Sequence, residues 1–176
     1  MRLLGDRSLR FVVENIAEPA HYRALVNMAR RYPRPLDAYR RYLLGRGSYP
    51  TRVAVRTPSG VVRPILWSFH DMLTLNEIFC REDYAVPTPP PLVVDLGSNI
   101  GLSALYFLTR GPEVRCRLYE PVARNLERLR RNLEGFEERY VVEPVAVADF
   151  DGEAQFRLDP FGRYGALNQP GDEIAT

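Results

Sequence analysis

The chain has 176 residues, 45% of them apolar, and 24 basic against 22 acidic side chains give a formal net charge of +2. That length supports one domain with a real core and room for a small appendage, and that apolar content excludes a disordered chain. No apolar stretch approaches a membrane span, and "MRLLGDRSLRFVVENIAEP" is broken by charge too often for a secretory signal. The two cysteines, Cys80 and Cys116, have no metal-ligand spacing. Buried reduced thiols in a cytoplasmic protein are the plain reading, with a disulfide as the alternative. The charge is uneven: residues 1–65 hold thirteen arginines and four acids, and residues 66–176 hold eleven arginines and eighteen acids. There is no lysine, so arginine usage reflects composition as well as chemistry. The basic half could attract nucleic acid or dock on the acidic half. No nucleic-acid reader motif accompanies it, so nucleic acid is not the expected partner.

In chain order, "PAHYRALVNMARR" places Tyr22, Leu25, Val26 and Ala29 at helical spacing. "PLDAYRRYLLG" opens with Pro35, stops at Gly45 and aligns Leu36, Tyr39 and Leu43. Two β-branched runs flank Thr57-Pro58-Ser59-Gly60, which predicts a β-hairpin, and Pro64 in the second run predicts an edge or a bulge. "SFHDMLTLNEIFCREDY" predicts a helix capped by Ser68 or by His70-Asp71, with Met72, Leu75, Ile78 and Phe79 inside. Four prolines between Pro87 and Pro91 form a stiff connector. The boundary is placed there, with a cap over 1–86 and a main domain over 87–176.

The main domain alternates. Leu92–Leu96 reads as a parallel strand covered on both faces. A helix follows over Asn99–Thr109, then a strand over Val114–Tyr119. Pro121 starts a second helix with a Val122, Leu126, Leu129 and Leu133 stripe, closed by Gly135. Tyr140–Val147 is a third strand, and Pro144 within it predicts an edge position. Asp151-Gly152 turns into "EAQFRL", and the Gly- and Pro-rich remainder reads as irregular. This is α/β, a partial parallel sheet in local order 3-2-1 with right-handed crossovers and an N-terminal helical and hairpin cap.

The chemistry gathers where the first strand ends. Asp95 is followed by Gly97, Ser98, Asn99 and Gly101. Glycine lets a ligand approach the backbone, and the following helix start is expected to present unpaired N–H groups. A polar ligand would bind there, at the carboxyl end of a parallel strand. Glu120 ends the second strand, one βαβ unit later, where an acid can accept from two ribose hydroxyls. A nicotinamide dinucleotide site is the rival, but its G-x-G-x-x-G fingerprint is not supplied by Gly97 and Gly101. His70 is the only side chain of a kind to act as a base, and a capping role weighs against it; His21 reads as a surface residue.

"VVDLGSNIGLSALYF" resembles the D-x-G-x-N-x-G motif of class I S-adenosylmethionine-dependent methyltransferases, and "RLYEP" resembles their acidic ribose motif. With "SFHDMLTLNEIFCREDY", "RLYEPVARNLERLRRNL" and "PVAVADFDGEAQF", the chain resembles the FkbM family over roughly residues 50–165. The resemblance implies a Rossmann-like fold and methylation of hydroxyls on natural products or sugars. It implies that Asp95, Gly97, Ser98, Asn99 and Gly101 surround the methionine part of S-adenosylmethionine. It implies that Glu120 holds the ribose and that Ala146–Asp149 lies near the adenine. Glu77 and Tyr84, in the helix before the connector, match positions that the family tends to retain. On residues alone, Glu77 reads equally as a surface acid, Tyr84 as a packing residue and Asp149 as a turn residue.

The family pattern continues through four more strands and an I-D-x-E-G-x-E segment, and nothing like it follows Asp172-Glu173. The expectation is a C-terminally truncated methyltransferase. The strand at 92–96 would then lose a neighbour, and a second copy or a partner chain would cover its edge. Three readings follow: an O-methyltransferase with a small-molecule acceptor, a non-catalytic cofactor-binding or docking module, and an RNA methyltransferase suggested only by the basic half.

Overall fold

The computed structural model describes residues 19–150, 152, 156–158, 165–167 and 174–175. They divide into two compact units, Met1–Pro87 and Thr88–Thr176.

In the first unit, α1 (Pro19–Arg31) and α2 (Pro35–Leu44) form where the periodicity predicts helices, but with a different face inward. Ala24, Met28 and Tyr32 are buried, whereas Tyr22, Val26 and Leu36 stand in solvent. Polar ties to the later chain set the phase of α1. Asn27 Nδ2 donates to the Cys80 carbonyl at 2.8 Å, and the Tyr32 hydroxyl donates to Asn76 Oδ1 at 3.0 Å. α2 has Pro35 in its first turn and ends on Gly45 in the left-handed region, with Ala38 as its buried residue.

The hairpin forms as predicted, with a two-residue Pro58-Ser59 loop. β2 (Val55–Thr57) pairs with β3 (Gly60–Val62), and β1 (Thr51–Arg52) pairs with β4 (Ile65–Leu66). Pro64 lies between the two ladders: its carbonyl accepts from Val53 N–H at 3.0 Å, and it has no N–H to return. Ser68 caps α3 (Phe69–Asn76) in a reciprocal box with Asp71. A π-helical turn continues over Glu77–Arg81 and stops at Glu82, which is left-handed. Met72, Leu75, Ile78 and Phe79 are buried as predicted. Tyr84 lies beyond the helix end, a correction to its helical placement, because the left-handed Glu82 stops the turn two residues earlier.

The second unit holds a three-stranded parallel sheet in the order β5 (Leu92–Leu96), β6 (Arg115–Tyr119), β7 (Tyr140–Glu143). Two helices connect its strands, α4 (Leu102–Leu108) and α5 (Ala123–Asn132). The arrangement is α/β and compatible with a Rossmann-like fold. Several bounds differ from the sequence expectation, β6 and α5 by one or two residues at their starts. β7 stops at Glu143, because Pro144 cannot donate to a ladder. α4 starts at Leu102 rather than Asn99, because the turn before it holds left-handed residues. The stretch read as irregular supplies β9 (Gly165–Leu167) and β10 (Ile174–Ala175), which form an antiparallel sheet with β8 (Phe156–Leu158), inside "EAQFRL", in the order β10-β8-β9. Asp151 lies outside the described residues.

β5 is covered on one face only. Leu92, Val94 and Leu96 are exposed, and on β6 Cys116 and Leu118 are buried while Arg115 and Arg117 are exposed. Leu102, Leu105, Leu108, Leu126, Leu129 and Leu133 bury the helix side. The outer edge of β5 has no paired strand among the described residues. Among them, too, no helix is long and apolar enough to cross a membrane, and no group of three or more His, Cys, Asp or Glu could hold a metal ion.

Both cysteines are buried free thiols. Burial pushes Cys80 up to about 12 and Cys116 up to about 11, the latter with help from the Asp95 carboxylate.

The two faces of the sheet should respond differently to truncation. Leu118→Ala should cost about 2–5 kcal/mol in urea unfolding, and Val94→Ala under about 0.5 kcal/mol. A second expectation concerns pH. The raised thiols mean that the folded chain holds protons that the unfolded chain loses above its thiol value of 9.0. Their contribution is complete below pH 9 and is lost as pH rises through about 11 and then about 12. Unfolding midpoints should fall across that range, and Cys80→Ala should flatten part of the fall.

Candidate functional site

The turn after β5 is built by three left-handed residues in alternation, Gly97 (φ 90°), Asn99 (φ 47°) and Gly101 (φ 80°). Asparagine is the non-glycine residue that tolerates this region best. The parallel ladder runs on into the turn, and the N–H groups of Gly97 and Ser98 both donate to the Tyr119 carbonyl at 2.9 Å. Gly101 N–H closes the turn on the Ser98 carbonyl at 2.8 Å.

The two glycines do different work. A Cβ on Gly97 would meet nothing within 4 Å, so the backbone there lies open to approach. A Cβ on Gly101 would lie 3.1 Å from Leu129 Cγ and 3.3 Å from Leu133 Cγ. Gly101 therefore lets the turn press against α5. It is a packing residue here rather than one that faces a ligand.

Glu120, at the tip of β6, is 4% exposed. Its Oε2 accepts from Asn99 N–H at 2.8 Å, and its Oε1 accepts from Val122 N–H at 3.0 Å and Asn125 Nδ2 at 3.2 Å. The Asn99 bond thus adds a side-chain link to the two that the Tyr119 carbonyl makes between the turn and the strand tip. Asp95 is half-buried, and the Ser103 hydroxyl donates to its Oδ2. The Ser98 hydroxyl donates to the Asp95 carbonyl at 3.0 Å. From the other side, Asn132 Nδ2 donates to the Ile100 carbonyl at 2.9 Å.

Asp95, Gly97, Ser98, Asn99, Gly101 and Glu120 therefore stand together. Asp149 lies on an exposed, non-strand segment after β7. Glu77 and Tyr84 lie in the first unit: Glu77 opens the π-helical turn, and Tyr84 is exposed. The sequence reading missed Ser103, Asn125 and Asn132. A signal for the last two existed, since both asparagines fall on the apolar stripe of α5, where a polar residue needs a buried partner.

The expected N–H groups of the helix start are those of Leu102, Ser103 and Ala104, which precede the first intrahelical bond, Leu105 N–H to the Gly101 carbonyl. The N–H groups of the turn itself are committed. Those of Gly97, Ser98, Asn99 and Gly101 are all spent inside the protein. The turn keeps two carboxylates and a bare glycine backbone. Such a site suits a ligand that donates hydrogen bonds or carries positive charge better than one that brings a pyrophosphate.

No family model matches the chain. The AMB antimetabolite synthetase AmbE of Pseudomonas aeruginosa is 33% identical over 86 residues, which is 49% of this chain and 4% of that protein. The chain is similar to one stretch of a synthetase. It spans about 4% of that relative's length. A solved structure, "putative transferase PH0793" of Pyrococcus horikoshii, covers 64% of this chain and 47% of its own at 18% identity, with a TM-score of 0.39. At that score and identity the likeness does not establish a common fold.

The two glycines should separate on substitution. Gly97→Ala should cost about 1–2 kcal/mol for the left-handed backbone alone. Gly101→Ala should cost a further 1–3 kcal/mol or so, because Leu129 and Leu133 must also move. Equal costs in chemical denaturation would contradict the packing role of Gly101.

Proposed function

We propose that the second unit is the cofactor-binding part of an S-adenosylmethionine-dependent methyltransferase of FkbM type, acting on a hydroxyl of a small molecule. One observation carries the reading: the Asn99 N–H to Glu120 Oε2 bond, at 2.8 Å, which joins the two motifs of the resemblance. The polarity of the turn supports it as well. Asp95, fixed by Ser103, can accept from the ammonium of the methionine part. Gly97, with open space where a Cβ would stand, lets the ligand lie against the backbone. Oε2 of Glu120 has one protein donor and a second lone pair that a ribose hydroxyl can use. The cofactor supplies a methyl carbon on a positively charged sulfur. The protein's share is alignment of acceptor, carbon and sulfur, which provides much of the acceleration in such transfers. Similarity to a stretch of an antimetabolite synthetase supports a small-molecule acceptor.

A second reading, a non-catalytic docking module, draws on the exposed Leu92, Val94 and Leu96 face. Calorimetry with S-adenosylmethionine separates the two. The methyltransferase reading expects saturable binding, weakened about tenfold or more by Asp95→Asn and by Glu120→Gln, with the fold checked by circular dichroism. A tenfold loss corresponds to about 1.4 kcal/mol. No heat at millimolar ligand, or unchanged affinity in both variants, would sink it.

A further inference from the structure

The first unit carries a cleft of about 500 Å³ whose lining includes Arg30, Arg31, Arg56, Asn27, Thr57 and Glu82. Three arginines and one glutamate line it, an excess of two positive charges around one small volume. Bringing like charges together costs free energy unless an anion joins them.

The arginines are also held in place. Arg56, on β2, uses one terminal nitrogen, Nη1, to donate to the carbonyls of Arg30 and Tyr32, both at 3.1 Å. Those carbonyls stand at the negative end of α1, which suits a cation. Both hydrogens of Nη1 are spent, and among the described contacts the Nε–Nη2 edge is not. That edge is the fork that matches two oxygens of one anion. Arg31 is fixed by Glu82 Oε1 at 2.7 Å. The Thr57 hydroxyl donates to the Gly60 carbonyl and one hydrogen of the Asn27 amide to the Cys80 carbonyl, so guanidinium hydrogens make up most of the donors that remain.

A capping role for Arg56 and a tether role for Arg31 account for the bonds that they make. They do not account for Arg30 on the same wall, nor for the unused Nε–Nη2 edge of Arg56. We propose that this cleft binds the phosphoryl group of a small phosphorylated ligand. The excess of two charges matches a dianion better than a single carboxylate, and the volume is that of a small-ligand site. The proposal is independent of the reading of the second unit.

The test is an NMR titration of the full ¹⁵N-labelled chain with inorganic phosphate and with glycerol 3-phosphate, against sodium chloride at matched ionic strength. Saturable shifts at residues 27–31 and 56–58 with both phosphates, and not with chloride, are expected. Arg30→Gln removes a side chain with no hydrogen bond among the described contacts, so it should keep the fold and weaken binding at least about fivefold. Arg56→Gln should weaken it more, and Arg124→Gln in the second unit should leave it unchanged. Equal shifts with chloride, or equal losses in all three variants, would overturn the proposal. So would a single-stranded oligonucleotide that binds tightly while glycerol 3-phosphate does not, since the cleft would then track a nucleic-acid backbone.

Discussion

The second unit depends on a buried carboxylate, that of Glu120, which is 4% exposed. Burying an unpaired carboxylate costs several kcal/mol, and Glu120 is tolerable because three donors converge on it. Asn99 belongs to the turn, Val122 and Asn125 belong to the start of α5, and Glu120 itself ends β6. The desolvation problem of one side chain therefore fixes three backbone segments at once. It also explains why three left-handed residues persist in five positions. Each costs free energy on its own, and the Glu120 and Asn132 bonds over-determine the turn that contains them. The same oxygens that hold the fold are those a ribose would reach, so ligand contact and local stability are coupled at Glu120.

The one-sided sheet follows from handedness. Two right-handed crossovers that wind the same way put α4 and α5 on the same face. Val93, Asp95, Cys116 and Leu118 then face helices, while Leu92, Val94, Leu96, Arg115 and Arg117 do not. A run such as 92–96, apolar at every position but Asp95, is what a doubly covered strand requires. The run is thus more apolar than its described surroundings demand, and the mismatch sits on both the open face and the unpaired edge of β5.

The architecture was legible because chain alternation and proline placement act locally. The 3-2-1 order came from short crossovers, and the hairpin from one proline and one glycine in a four-residue turn. Helical phase was less legible. Tyr22-Val26 and Ala24-Met28 satisfy the same four-residue spacing, and only the distant carbonyl of Cys80 and the amide of Asn76 choose between them. Pro144 was read for its edge position, yet its missing N–H acts one residue earlier and ends the strand at Glu143. At the site, the glycines were read as one pair. Packing separates them, because only Gly101 has α5 against it, and no local pattern reports what a Cβ would strike.

The uneven charge along the chain takes a chemical meaning from the two units. The turn after β5 spends the N–H groups of Gly97, Ser98, Asn99 and Gly101 inward and keeps Asp95 and Glu120 beside them. The α1–hairpin cleft spends the carbonyls of Arg30 and Tyr32 inward and retains mainly guanidinium hydrogens, so it selects for acceptors and anions. In both places, internal hydrogen bonding consumes one kind of polar group and leaves the other for a ligand. A count of arginines and acids cannot reveal that, because Arg31 and Arg56 each divide their hydrogens between the fold and the cleft. The chemistry left for a ligand is set by which face of each charged side chain the fold has already used.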